Sequence, residues 1–209
     1  VARGAEVWQR FLDGSGHDCA ILPGMTAQSK RRMTVPEFLA WAAAQPRGRY
    51  ELVRGEIVAM APERALHNLV KAGVYRALSD AVSRAGLACT VFTDGMTVVI
   101  DNEHSREPDA AVQCNVSTDL DSVILEAPLV VVEVTSPSSE RDDTGDKLVE
   151  YFSVPSIRHY LIVNPTKRVI VHHARDVDGK IATRIMSNGQ LDLAPPGMTV
   201  PVHELLPEI

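Results

Sequence analysis

No run of apolar residues approaches the roughly 18 needed to cross a bilayer, and the opening VARGAEVWQR lacks the basic, apolar and small-residue succession of an export signal. Neither membrane insertion nor export is expected, and the expected location is the cytoplasm. Cysteine is scarce. Its three copies, Cys19, Cys89 and Cys114, are odd in number and show no C-x-x-C spacing, which argues against a disulfide framework and against a thiolate zinc site. The two in strand-like segments read as core thiols. His17 lies near Cys19, but two ligands fall short of the four that a structural zinc needs. Aromatic residues are only 5% of the chain and no basic stripe interleaves with them, so a stacking platform for single strands has little support.

Several catalytic signatures are also missing. There is no G-x-S-x-G elbow, no G-x-x-x-x-G-K-[ST] loop and no G-x-G-x-x-G turn, so serine acyl transfer, nucleotide hydrolysis and dinucleotide redox chemistry each lack their first requirement. Acids outnumber Lys and Arg 27 to 21, a net charge of −6, which excludes a broad basic surface but not a local groove. No internal repeat or low-complexity tract occurs.

What is present fits one domain, since 209 residues can bury one sizeable core. Hydrophobic periodicity begins at Met33, so residues 1–32 read as a flexible N-terminal extension and 33–209 as the folded domain. Thr34 and Pro36 open a short helix, and YELVRGEIVAM reads as a hairpin about Arg54-Gly55. A long amphipathic helix runs from Pro62 and Glu63 to about Arg84, ended by Gly86. ACTVFTDGMTVVI reads as strand with a turn at Asp94-Gly95. PDAAVQC and PLVVVEV follow as strands entered by prolines, then a helix over about 142–153, the strands HYLIVNP and RVIVHHA, and a polar hairpin near Asp178-Gly179. The continuous apolar runs LVVVEV and YLIV predict central strands covered on both faces, joined by a helical crossover. The fold class is α/β, a mixed sheet flanked by helices.

Glu133 stands in the most apolar strand, where an ionised carboxylate needs a partner or a metal. Asp109 enters another strand directly after Pro108. If the two strands are neighbours, both carboxylates can converge on a hard cation, and magnesium, which keeps several waters, suits two carboxylates and a substrate phosphate. Taken singly, Pro-Asp is also a common turn dipeptide, and Glu133 could instead pair with an arginine. Asp143, Lys147 and Tyr151 share one helix face at i, i+4, i+8, so Lys147 can reach back over the preceding strand to orient water or stabilise phosphoryl charge; an ordinary Asp143–Lys147 surface pair has the same spacing. Glu56 is a further candidate metal ligand or a solvated strand residue. His67 is a candidate phosphate contact or proton shuttle, or a helix residue bonded to a nearby loop. Tyr50 and Glu51 read as hairpin-setting residues. His172 and His173 face opposite sides of a strand and cannot share a metal.

YELVRGEIVAMAP, His67, EPDAAV, VVEVTSPSSERDDTGDKLVEY and IRHYLIVNPTKRVIVHHA, in this order over about residues 33–205, together resemble the Uma-two family of endonucleases in the PD-(D/E)xK restriction-endonuclease-like superfamily. The resemblance implies a restriction-endonuclease-like fold with a magnesium-dependent phosphodiester-cleaving site at the sheet edge, where manganese could substitute. Asp109 matches the family's Pro-Asp and Glu133 the acid of its Glu-x-Lys strand. Thr135 stands where that strand's lysine would be, which implies that Lys147 on the following helix has taken over its role or that activity is lost. The expected partner is nucleic acid, with DNA as substrate, and the expected assembly is a homodimer, whose two sites would cut both strands. The alternative is a catalytically inactive dimer of the same fold acting as a DNA-binding or interaction scaffold.

Overall fold

The structure, a computed structural model, describes residues 32–117, 119–135 and 144–206. The extension expected over residues 1–32 therefore lies, except for Arg32, outside the described residues, and so does Asp143.

The chain enters through α1 (Val35–Ala43). The Glu37 carboxylate caps it, accepting the Thr34 amide at 2.9 Å and the Thr34 hydroxyl at 3.1 Å. The hairpin β1 (Tyr50–Val53) and β2 (Glu56–Ala59) turns at Arg54 and Gly55, both with positive φ, the geometry that matches strand twist. Gly55 has a second constraint, because a Cβ there would come within 2.5 Å of the Arg32 side chain. The long helix α2 (Ala65–Arg84) follows, and Gly86, at φ 62°, closes it in the left-handed region. β3 (Cys89–Thr93), β4 (Val98–Asp101), β5 (His104–Arg106), β6 (Ala110–Cys114) and β7 (Pro128–Val134) lead to α3 (Thr144–Ser153). β8 (His159–Asn164), β9 (Val169–Arg175) and β10 (Ile181–Met186) come next. β11 (Gln190–Leu193), β12 (Met198–Pro201) and α4 (Val202–Leu205) complete the described chain.

These strands form a six-stranded sheet of order β10-β9-β8-β7-β6-β3, a four-stranded sheet of order β2-β1-β5-β4, and the β11-β12 ribbon. β7 and β8 are parallel and joined through α3, as their unbroken apolar runs require, while the other described pairs of the large sheet are antiparallel. The mixed sheets flanked by helices agree with the sequence reading. The expected turn at Asp94-Gly95 is present, and it joins two sheets, because β3 pairs with β6 in the large sheet and β4 with β5 in the small one. The chain changes sheets there, and it changes back between β5 and β6 through Glu107, Pro108 and Asp109.

Alternation sorts the core into layers. Ala110, Val112, Val130, Val132 and Val134 pack with Val70, Val74, Ala77 and Leu78 of α2 and with the β11-β12 ribbon. On the opposite face Ala111, Val131, Tyr160 and Ile162 pack with Tyr151 and Phe152 of α3. α1 covers the small sheet by packing Val35 and Phe38 with Leu52 of β1.

The cysteine expectation is corrected here. Cys89 and Cys114 are directly opposite in the β3-β6 register and form a disulfide. Twenty-five residues separate them in sequence, and only the strand register makes them neighbours.

Arg106 ties the small sheet to α3. It is 5% exposed and donates to Glu51 on β1 at 2.9 Å and to Glu150 on α3 at 2.7 Å. Burial alone would weaken its charge, but the two carboxylates push its pKa upward. Truncating one member of such a group strands buried charges, so Arg106→Ala should destabilise the fold by about 3–5 kcal/mol in urea denaturation. A loss below about 1 kcal/mol would show that the bridge is not structural.

Candidate active site

Asp109 ends the crossing between the sheets. The β6-β7 register pairs Ala110 with Val132 and Ala111 with Val131. One further step sets Asp109 across from Glu133, on the face that carries Val131 and looks toward α3. Because Asp109 lies beyond the last paired residue, its carboxylate can fold back over the sheet end and accept the Val134 amide at 2.7 Å. The same oxygen, Oδ2, meets His67 Nε2 at 3.1 Å, while Lys71 Nζ stands 3.6 Å from Oδ1. His67 and Lys71 are one turn apart on α2, so a single helix face supplies both cations.

Glu133 is approached from the opposite side. On α3, Lys147 and Tyr151 lie one turn apart, and both reach Glu133 Oε1: the ammonium at 3.2 Å and the phenol, as donor, at 2.6 Å. An open pocket of about 300 Å³ lies between the two helices. Its walls include Glu51, Glu63, Arg64, His67, Asp109, Glu133 and Lys147, with Val58 to Pro62 as an apolar side.

Burial raises the Glu133 carboxyl to about 7, with Asp109 and Glu51 reinforcing the shift and Lys147 and the Tyr151 hydrogen bond opposing it. The hydrogen bond to Asp109 raises His67 above its ordinary value against the effect of burial, so imidazolium persists to higher pH. Lys71 is 6% exposed, and burial works against its charge. Hydrogen bonds to Asp94, at 2.5 Å, and to Glu63, together with the field of Asp109, outweigh that cost and leave its pKa raised. Arg49 cross-links this group by bonding Glu63 at 2.7 Å, Asp94 at 2.5 Å and Glu107 at 2.7 Å.

Four residues singled out in the sequence, Asp109, Glu133, Lys147 and His67, thus line one pocket. Glu56 does not. It is exposed beside the turn, on the same face as Glu51 but two residues nearer the turn, about 7 Å further along the strand. Glu51 takes the place at the pocket, although its sequence context predicts only a hairpin-setting role. Its Oε2 accepts from Arg106 and its Oε1 from the Glu107 amide at 3.1 Å, so it is a fixed charge facing the acid pair. Lys71, Glu63, Asp94 and Arg49 were also missed. The one available signal was Lys71 itself, a charged residue on the apolar face of α2 beside Val70 and Val74.

Among the described residues, no three His, Cys, Asp or Glu side chains gather closely enough to hold a cation unaided. Magnesium does not require that, since one or two carboxylates suffice when water and phosphate oxygens complete its shell. The donors here fit. They are hard oxygens at an open pocket, the contacts of Glu133 among the described residues fall on Oε1, and Lys71 lies beyond hydrogen-bond range of Asp109 Oδ1.

The family model described as "Uma2: Putative restriction endonuclease" matches residues 35–205. The chain belongs to the Uma2 family. It is 24% identical over 173 residues to the uncharacterized protein slr1290 of Synechocystis, covering 82% of this chain and 90% of that one. The fold matches a crystal structure from Anabaena variabilis, described as "a putative nuclease belonging to DUF820", with a TM-score of 0.66 at 14% identity over 83% of this chain and 97% of that one. At this identity the likeness speaks for the fold alone, and the fold is the mixed α/β architecture that the Uma2 resemblance implied. Among the described residues no helix is long and apolar enough to cross a membrane.

A carboxyl raised to about 7 keeps, in the metal-free folded chain, a proton that the unfolded chain releases near 4.5. Its contribution to stability is complete below about 4.5 and is lost as pH rises through 7. Glu133→Gln carries no such dependence. In EDTA, the stability of this variant relative to the parent should improve by about 2–3 kcal/mol between pH 4 and pH 8. A gap independent of pH in denaturation curves would contradict the assignment.

Proposed function

We propose that this Uma2 protein is a magnesium-dependent endonuclease that hydrolyses phosphodiester bonds of nucleic acid, with DNA as its substrate. The observation that carries the reading is the placement of Asp109 across from Glu133 at the sheet end, with Lys147 on the second acid. Asp109 and Glu133 are the residues that would hold magnesium, which when bound supplies a Lewis acid for the phosphate and acidifies water. Metal-site carboxylates are consistent with a protein whose overall charge is acidic.

The chain's own residues divide the remaining work. Lys147 is an ammonium on a long stem beside Glu133, able to orient attacking water or to stabilise charge growing on a phosphoryl oxygen. A helix lysine can serve in this way because Thr135 leaves the strand position without a cation. His67, held by Asp109 and inclined to keep its proton, can donate to the phosphate or to the leaving oxygen. Exposed Arg64 on the pocket wall offers a guanidinium toward the backbone of a bound strand. Cutting both strands of a duplex calls for two such sites, which a homodimer would provide.

The test is turnover on plasmid, linear and single-stranded DNA with magnesium or manganese. Wild type should cleave, Asp109→Ala and Glu133→Ala should abolish cleavage while retaining the fold by circular dichroism, and Lys147→Ala should lower kcat about 10²–10³-fold. Equal cleavage by wild type and both acid variants would assign the activity elsewhere. Tight, metal-independent DNA binding without turnover would favour the inactive scaffold, the reading that Thr135 and the acidic charge balance support.

A further inference from the structure

We infer that Tyr151 is a positioning residue for the site, fixing the carboxylate of Glu133 so that one oxygen is held by the protein and the other is left for the pocket. The inference rests on the reading of Asp109 and Glu133 as cation ligands. The Tyr151 ring is fully buried among Val98, Ala111, Val131, Phe152, Ile157 and Tyr160, with the Tyr160 ring centroid 5.0 Å away. A side chain with two torsions, packed on all sides, puts its hydroxyl in one place. That place is 2.6 Å from Glu133 Oε1.

Lys147 reaches the same oxygen at 3.2 Å, but through a stem with four rotatable bonds, so it contributes charge more than direction. A phenol carries a hydroxyl proton at neutral pH, so Tyr151 acts as the donor in this bond. The pair Lys147-x-x-x-Tyr151 is therefore a two-pronged clamp from α3 in which the two prongs have separable roles. Ligand-orienting hydrogen bonds of this kind commonly change metal affinity 10–100-fold when removed. A buried phenol also needs a partner for its own sake, and then Glu133 would merely satisfy it.

Affinity and stability separate these cases. Tyr151→Phe keeps the ring and its packing and removes the hydroxyl. Manganese binding, followed by the loss of the free-ion spin-resonance signal in the absence of nucleic acid, should weaken about 10-fold, while the thermal midpoint moves by only a few degrees. Ile157→Val, which loosens the same core without touching Glu133, should lower the midpoint and leave manganese affinity unchanged. Unchanged affinity in Tyr151→Phe would overturn the positioning role alone. Equal weakening in both variants would also overturn it, by tracing the effect to general loosening. Wild-type protein that binds no manganese would overturn the cation-site reading and this inference together.

Discussion

The bond from the Val134 amide to Asp109 Oδ2 does two things at once. It satisfies a backbone donor at the place where β6 has not yet begun and β7 runs on, and it folds the Asp109 carboxylate back over the sheet beside Glu133. Two carboxylates on one buried sheet end repel each other and lose hydration, a state that persists only when the surroundings compensate. The compensation is visible on every side. α2 brings His67 and Lys71 to the first acid, α3 brings Lys147 and Tyr151 to the second, and Arg106 pins Glu51 nearby.

This balance depends on the two-sheet architecture. The chain leaves the small sheet after β5, passes Glu107 and Pro108, and enters the large sheet at Ala110, so Asp109 sits at the seam between them. The hairpin of the small sheet and the start of α2 wall one side of the pocket, and α3 walls the other. The cluster of Arg49, Lys71, Glu63, Asp94 and Glu107 braces the seam from α2 and from residues flanking strands of both sheets. Burial, reinforced by Asp109 and Glu51 and opposed by Lys147, leaves the Glu133 carboxyl raised to about 7.

Local chemistry was legible in the sequence, and register was not. The Thr34 cap, the Arg54-Gly55 turn and the Gly86 helix end could all be read from short-range pattern, because each is decided within a few residues, and the unbroken apolar runs LVVVEV and YLIV marked central strands. Glu133 and Asp109 stood out because a carboxylate in an apolar strand and one after a strand-entry proline conflict with their local surroundings. Lys147 followed from helical spacing. What escaped depends on long-range pairing: the sheet change after Asp94, the union of Cys89 with Cys114, and the displacement of Glu56 from the pocket in favour of Glu51. Within the hairpin both glutamates share a face, and only the position of the neighbouring sheet decides between them. The Arg49 and Lys71 cluster likewise gathers residues from separate segments, of which only Lys71, a charge on an apolar helix face, carries a local signal.

The central claim is that residues 109 and 133 share one divalent ion at the seam of the sheets. Its most direct measurement is a crystal of the protein soaked in manganese, with diffraction recorded at the manganese absorption edge. The expected result is a single anomalous peak in the pocket, about 2.0–2.3 Å from a carboxylate oxygen of Asp109 and from one of Glu133. A peak bound elsewhere, or a fully ordered pocket without one at saturating manganese, would contradict it.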